Sequence, residues 1–157
     1  MMGRQPIRVL IADDHSSARL GLRSLLSTWP MVEVVGEAAD GREAVRLAGE
    51  CHPHVVLMDV RMPALDGLEA TRLIKSRWPE VRVIVLSMHD LHRADAIAAG
   101  ADGFLVKGGA TDELMRAILR HATPSEDAHA ELWSGAAGPG VGHNTLGQGG
   151  EGYEGEA

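Results

Sequence analysis

Three aspartates, a serine and a lysine stand directly after short apolar runs in this chain of 157 residues: Asp13, Asp14, Asp59, Ser87 and Lys107. Carboxylates that lie close together repel one another unless a cation binds among them, and hard oxygen ligands select Mg²⁺ over softer metals. A lysine can pair with a carboxylate or a phosphoryl oxygen, and a hydroxyl can donate to another oxygen. Brought together, these groups would provide the nucleophile, metal ligands, cation and hydrogen-bond donor that an aspartyl-phosphate site requires.

The apolar runs have the length and composition of β-strands. We predict strands at residues 7–12, 32–37, 55–58, 81–86 and 103–106. Several of these runs are apolar at every position, which is typical of a parallel sheet covered by helices on both faces.

Five helices are predicted from apolar residues that recur at helical spacing after each strand. Pro30 ends the first helix, the third stops before Pro79, and Thr111 is expected to cap the start of the fifth. The positions that mark this spacing are, in chain order, Ala18, Leu22, Leu25, Leu26 and Trp29; Ala44, Val45 and Leu47; Leu68, Thr71, Leu73 and Ile74; Leu91, Ala94, Ile97 and Ala98; and Leu114, Ala117, Ile118 and His121.

The strict alternation of five strands and five helices predicts an α/β fold with right-handed crossovers. Its size favours a doubly wound, flavodoxin-like parallel sheet with strand order 2-1-3-4-5. Ligands of such sheets bind beyond the carboxyl ends of the strands. Since the aspartates, the serine and the lysine all follow strand ends, we expect them to meet at one rim.

Four stretches in this order resemble the receiver domain of bacterial two-component response regulators. They are Ala-Asp-Asp-His at 12–15, Leu-Met-Asp-Val-Arg-Met-Pro at 57–63 followed by Asp66-Gly67, Leu-Ser at 86–87, and Gly-Ala-Asp-Gly-Phe-Leu-Val-Lys at 100–107. The chain is most similar to receivers that precede a LuxR-type helix-turn-helix domain. The resemblance covers residues 5–122, which we interpret as the receiver domain.

The resemblance implies that Asp59 is the phospho-acceptor, which attacks a phosphohistidine of a sensor histidine kinase or phosphotransfer protein. It also implies that Lys107 pairs with the phosphoryl group and that Ser87 donates a hydrogen bond to it. Phe104 would be the switch residue, an aromatic side chain whose inward movement follows that of Ser87.

The resemblance further implies a Mg²⁺ cofactor. Its ligands would be Asp14 directly, Asp13 mainly through water, Asp59, and the backbone carbonyl of Arg61. Arg61 and His89 are expected beside the acyl phosphate, at positions that influence its hydrolysis in this family.

Taken one at a time, these residues have simpler interpretations. Asp13 and Asp14 could cap a helix, as most Asp pairs before a helix do, and Lys107 could be a surface lysine. Four histidines are divided between two loops and lack a cysteine pair, so we interpret them as solvated rather than as zinc ligands. They are His52, His54, His89 and His92.

Three features depart from the family pattern. Gly108 follows Lys107, where many receivers have a cis proline, and glycine allows a looser turn. The interval from Ser87 to Gly100 is about two residues shorter than usual, which shortens the fourth helix or its leading loop. The residues after His121 are too few and too rich in glycine for a helix-turn-helix output domain.

Charge and composition divide the chain in two. All 15 basic residues and 16 of the 22 acidic residues precede residue 123, and the other six acids follow it. We therefore expect residues 123–157 to be a Gly-rich, acidic, disordered tail, with a short helix at 126–133 as the alternative. The charge does not favour a nucleic-acid or membrane partner. The lone Cys51 and the lack of a long apolar run predict a soluble, cytoplasmic protein.

The leading hypothesis is a phosphorylatable receiver, not an enzyme, that acts as a relay or as a switch for an unknown protein partner. One alternative is a LuxR-type DNA-binding transcriptional regulator that has lost its output domain by truncation. Another is a receiver that binds partners without phosphate. The third is an aspartyl phosphatase or phosphomutase, but such enzymes carry a second Asp two residues beyond the nucleophile, where this chain has Arg61.

Overall fold

The computed structural model describes residues 5–120, which form five strands and five helices in strict alternation. The strands are β1 (Ile7–Ala12), β2 (Val32–Ala38), β3 (Val55–Asp59), β4 (Arg82–Ser87) and β5 (Gly103–Val106). The helices are α1 (Ser16–Leu26), α2 (Gly41–Cys51), α3 (Gly67–Arg77), α4 (Arg93–Ala98) and α5 (Thr111–Leu119), and a 3₁₀ turn (Asp90–His92) leads into α4. The domain end predicted at residue 122 and the tail at 123–157 lie outside the described residues.

The sheet has the strand order β2-β1-β3-β4-β5, and every neighbouring pair is parallel. Both the predicted fold class and the predicted order are confirmed. None of the helices within residues 5–120 combines the length and apolar character needed to cross a membrane.

Helices cover both faces of the sheet, so the central strand β3 is buried along its whole length. Val56 and Met58 pack into one core layer beneath α2 and α3, and Leu57 packs into the other beneath α1 and α5. Fully burying an aliphatic side chain of this size contributes about 1.5–3 kcal/mol to folding. The runs that are apolar at every position are therefore correctly explained by a sheet with two covered faces.

Two helix ends differ from the prediction. Helix α1 ends at Leu26 rather than near Pro30, because the backbone tightens into successive turns and carries Trp29 into the core from outside the helix. The prediction that Thr111 caps α5 is wrong. Ala110 occupies the capping position without a side-chain hydrogen bond, and Thr111 is the first helical residue.

The face predicted for the fourth helix is also wrong. The four residues chosen as its apolar face, Leu91, Ala94, Ile97 and Ala98, are all exposed. The helix instead buries Ala96, and Ala99 directly after its end is also buried. Leu91 and Ile97 are therefore exposed apolar residues, as are Met88 and Val106.

The loop between β3 and α3 folds back over the end of β3, and Gly67 makes this possible. A Cβ atom at Gly67 would lie 1.8 Å from the carbonyl oxygen of Asp59, a distance that no side chain could occupy. The Gly67 N–H donates to the carbonyl of Val60 at 2.8 Å, which closes the loop. The start of α3 therefore fixes the backbone that carries the Asp59 side chain.

We expect Gly67→Ala to lower the free energy of unfolding by about 1–3 kcal/mol, because the added methyl group forces this backbone apart. Gly21→Ala is the matched control, since a Cβ there meets nothing within 4 Å and Gly21 lies exposed in α1. The control should raise the free energy of unfolding by about 0.4–1 kcal/mol. Urea unfolding of both variants measures this, and a Gly67→Ala protein as stable as the wild type would contradict the close approach.

Candidate functional site

Four neighbouring strands deliver the predicted site residues to one rim of the sheet. Asp13 follows β1, Asp59 ends β3, Ser87 ends β4, and Lys107 follows β5. Because these strands are adjacent in the order β1-β3-β4-β5, their carboxyl ends lie side by side. The Lys107 N–H also donates to the carbonyl of Ser87 at 2.7 Å, which ties the last two strand ends together. The expectation that these residues meet at one rim agrees with the structure.

The ammonium group of Lys107 bridges two of the carboxylates. Its Nζ lies 2.7 Å from Oδ2 of Asp13 and 3.1 Å from Oδ1 of Asp59. Asp13 and Asp59 are 1% and 8% exposed, so both ion pairs are shielded from solvent. Lys107 is therefore not the solvated surface lysine of the simpler interpretation.

Neither Asp13 nor Asp14 caps helix α1, whose capping residue is His15. The Asp13 Oδ1 atom accepts a hydrogen bond from the His15 N–H at 2.9 Å, so both oxygens of Asp13 have partners. Asp14 is more exposed, and its Oδ1 lies 3.1 Å from Nδ1 of His15. Ligand atoms of these three residues and of Asp59 all lie within 4.8 Å of one another. This acidic cluster could hold a metal ion.

The electrostatic environment shifts the pKa values of the two buried acids, Asp13 and Asp59, in opposite directions. Burial raises the pKa of Asp13, but hydrogen bonds from Lys107 and His15 lower it by more, so the net pKa is below the ordinary value. The pKa of Asp59 is raised, because burial and the charges of Asp13 and Asp14 outweigh Lys107. Burial would lower the pKa of Lys107, but its bonds to Asp13 and Asp59 raise it by more. The surroundings of Asp59 therefore disfavour its ionised form. A cation bound among the carboxylates would favour that ionised form.

Ser87 is 2% exposed, and its hydroxyl already has two partners. The oxygen accepts a hydrogen bond from the His89 N–H at 3.1 Å, and it lies 2.7 Å from Nδ1 of His92. His92 belongs to the 3₁₀ turn before α4 and is half-buried. The interpretation of all four loop histidines as solvated is therefore wrong for His92, and also for His54, whose Nδ1 accepts from the Arg8 N–H at 2.9 Å.

A small cavity of about 160 Å³ opens between Asp59, Ser87 and Lys107. His15, Arg61 and His92 also line it, with Met88 and His89 after β4. Its walls provide a carboxylate, a hydroxyl and an ammonium group, which suits a compact anionic group bound to Asp59.

Phe104 is 3% exposed and lies inside the domain rather than in solvent. The guanidinium group of Arg93 stacks over its ring at 4.7 Å from the centroid and also pairs with Asp90 at 2.6 Å. A cation over an aromatic face is attracted by the ring quadrupole. Two consecutive residues, His92 and Arg93, thus contact the predicted hydroxyl and aromatic switch residues.

Two residues of the site were missed as contributors by sequence analysis. His15 was noted only as part of a motif, and His92 was grouped with the solvated histidines. No periodicity or spacing signal marks either one. Their contacts depend on how the β1–α1 and β4–α4 connections fold back over the rim.

Comparison with known proteins gives one consistent result. The family model for the response regulator receiver domain matches residues 9–119. The chain is 40% identical over 114 residues to the transcriptional regulatory protein DegU of Brevibacillus brevis, an alignment that covers 71% of this chain and 48% of DegU. The chain spans about half the length of the curated relatives that it matches.

Solved structures agree. The signal receiver domain of the response regulator NarL from Mycobacterium tuberculosis is 36% identical, with a TM-score of 0.73 and coverage of 78% of this chain and 100% of that one. A LuxR-family two-component response regulator from an Aurantimonas species is 35% identical, with a TM-score of 0.71 and coverage of 84% and 99%.

The raised pKa of Asp59 predicts a pH-dependent stability gain for Asp59→Asn. Above the ordinary carboxyl pKa, the raised pKa of Asp59 makes its charge less favourable in the folded than in the unfolded protein, so the variant should unfold at about pH 7 with a free energy higher by on the order of 1 kcal/mol. As the pH falls through the raised pKa toward the unfolded-state value, Asp59 gains its proton and the advantage should shrink.

Urea unfolding at about pH 4 and about pH 7, in buffer with EDTA, measures this difference. Asp66→Asn is the control, because Asp66 is exposed and its capping bond to the Glu69 N–H can be kept by the amide oxygen. A gain that is equal at both pH values would contradict the electrostatic explanation.

Proposed function

Because the chain belongs to the response regulator receiver family, we propose that it accepts a phosphoryl group on Asp59 from a histidine kinase or phosphotransfer protein. The observation that carries this proposal is the arrangement of Asp59 and Lys107 around one small cavity, with the Ser87 hydroxyl on its wall. Phosphorylation then changes the surface that binds a downstream protein. The family is one of signalling domains, and the role proposed for this chain is that of a switch rather than an enzyme.

The proposed transfer uses each group in a definite way. A carboxylate oxygen of Asp59 attacks phosphorus, and the bond from phosphorus to the donor's imidazole nitrogen breaks as the acyl phosphate forms. The Nζ atom of Lys107 already lies 3.1 Å from Oδ1 of Asp59. It can pair with a phosphoryl oxygen once the phosphoryl group is attached. The Ser87 hydroxyl donates a hydrogen bond to another phosphoryl oxygen.

The acidic cluster fits Mg²⁺ by the chemistry of its ligands, which are hard carboxylate oxygens with solvent access on one side. When bound, Mg²⁺ would neutralise charge on the transferring phosphoryl group. We propose Asp14 and Asp59 as direct ligands, together with the Arg61 carbonyl. Asp13 would bind mainly through water, and its two oxygens are indeed already paired with Lys107 and His15.

Wild-type protein incubated with acetyl phosphate and Mg²⁺ should gain the mass of one phosphoryl group, and Asp59→Asn should gain none, because the amide is not a nucleophile. Intact mass spectrometry measures both. Asp66→Asn removes a nearby exposed acid and should be phosphorylated like the wild type. An acid-labile phosphate on Asp59→Asn would contradict the assignment. No gain by the wild type would instead favour a receiver that binds partners without phosphate.

The same assay tests the metal. EDTA should abolish the mass gain of the wild type, and Asp14→Ala should lose most of it while keeping its fold, since Asp14 has no buried contact to lose. Phosphorylation of Asp14→Ala at the wild-type rate and Mg²⁺ concentration would exclude Asp14 as a ligand.

A second candidate function is that of the receiver part of a LuxR-type transcriptional regulator. The observation that favours it is the span of the chain, which covers 48% of DegU, a protein whose name describes it as a transcriptional regulator. In that case phosphorylation would control an output domain outside the matched region. Both candidates share the same chemistry at Asp59.

We predict that the chain itself does not bind DNA, with or without phosphodonor. Its formal net charge is −7, and the basic residues up to Arg120 are balanced by acids, so its charge does not favour displacing the counterions of DNA. Fluorescence anisotropy with mixed genomic fragments at low salt measures binding. Salt-sensitive binding at micromolar protein would contradict this prediction and favour direct action on DNA.

A further inference from the structure

Among the described residues, the hydrogen bonds of Ser87 leave one acceptor for its hydroxyl proton in the free protein, which is Nδ1 of His92. A hydroxyl has one proton to donate and can accept two hydrogen bonds. The Ser87 oxygen accepts from the His89 N–H at 3.1 Å, and Nδ1 of His92 lies 2.7 Å away. If Nδ1 carried a proton, Ser87 would accept twice, and its own proton would have no acceptor among the described residues.

The favoured arrangement therefore has Ser87 donating to an unprotonated Nδ1 of His92, with the His92 proton on Nε2. A buried donor without a partner costs more than a typical hydrogen bond contributes, which is why the opposite assignment is disfavoured. His92 lines both the cavity at Asp59 and the open depression beside Asp14 and Arg61, so its outer edge reaches solvent.

This arrangement competes with the proposed reaction, on which the inference rests. In the proposed reaction, an oxygen of the phosphoryl group on Asp59 accepts a hydrogen bond from the Ser87 hydroxyl. In the free protein the same hydroxyl donates its hydrogen bond to His92 instead. We propose that His92 is a positioning residue that holds the Ser87 hydroxyl away from the phosphoryl group in the free protein. Formation of the phosphorylated state requires the Ser87–His92 bond to break.

The position of His92 in the chain connects the Ser87–His92 hydrogen bond to Phe104. His92 immediately precedes Arg93, which stacks on Phe104 and pairs with Asp90. Release of Ser87 from His92 therefore frees the turn that carries the cation above Phe104. One backbone segment links the hydroxyl of β4 to the aromatic residue of β5.

Beryllofluoride with Mg²⁺ serves as the probe, because it forms a stable phosphoryl-like adduct on an aspartate. We expect His92→Ala to bind it about fivefold more tightly than the wild type, as one hydrogen bond no longer has to break. His92→Asn should bind close to the wild type, since its amide group stands where the imidazole places Nδ1. Asp95→Asn, an exposed change in helix α4 next to the turn that carries His92, should leave the affinity unchanged.

Titration of amide chemical shifts of the full chain measures these affinities, and ¹⁵N spectra of the His92 ring provide a second measurement. In the free wild-type protein Nδ1 should be unprotonated and hydrogen-bonded, and its signal should change when the adduct forms. Equal or weaker binding by His92→Ala, or a protonated Nδ1 in the free protein, would overturn the role of His92. If the wild type forms no adduct, the proposed function fails together with this inference.

Discussion

The ion pairs of Lys107 are the interaction on which the site depends. One ammonium group lies within 3.1 Å of two carboxylates that are almost completely buried. Buried charges of one sign are costly unless a counter-charge is fixed beside them, so loss of Lys107, which would leave two buried carboxylates without a cation, should be strongly destabilising. Three strands must end at the same height for these contacts to form. The parallel sheet therefore brings these three charged groups together. The packing on its two faces keeps the strand ends in register.

The opposite pKa shifts of the two buried acids, Asp13 and Asp59, follow from this geometry. Asp13 has both oxygens hydrogen-bonded and a lowered pKa, so it is a fixed negative charge of the site. Asp59 shares Lys107 with Asp13, lies at the end of the most buried strand, and has a raised pKa. A carboxylate whose charge is opposed by its surroundings is the one that gains most from a cation bound beside it. The proposed nucleophile is thus distinguished from its neighbours by environment rather than by residue type.

Sequence patterns predicted the fold and the rim residues well because both depend on simple regularities. Fully apolar runs such as 55–58 are typical of strands covered on both faces, and the carboxyl ends of neighbouring parallel strands lie at the same edge of the sheet. The failures occur where backbone detail decides the outcome. The spacing of Leu91 and Ile97 favoured a buried helix face, but Ala96 and Ala99 are buried there instead. His92 carries no pattern at all, and its contact with Ser87 depends on a 3₁₀ turn that spacing alone does not specify.

The central claim is that Asp59 carries the phosphoryl group, and chemical trapping tests it most directly. Borohydride reduces an acyl phosphate to an alcohol, which converts the modified aspartate to homoserine and marks its position permanently. Trypsin cleaves after Arg8, Arg19, Arg46 and Arg61, so Asp59 and the Asp13-Asp14 pair leave on different peptides. After treatment with acetyl phosphate, Mg²⁺ and borohydride, peptide fragmentation should place homoserine at position 59 alone. Homoserine at position 13 or 14, or none in a protein that has gained the mass of a phosphoryl group, would contradict the account.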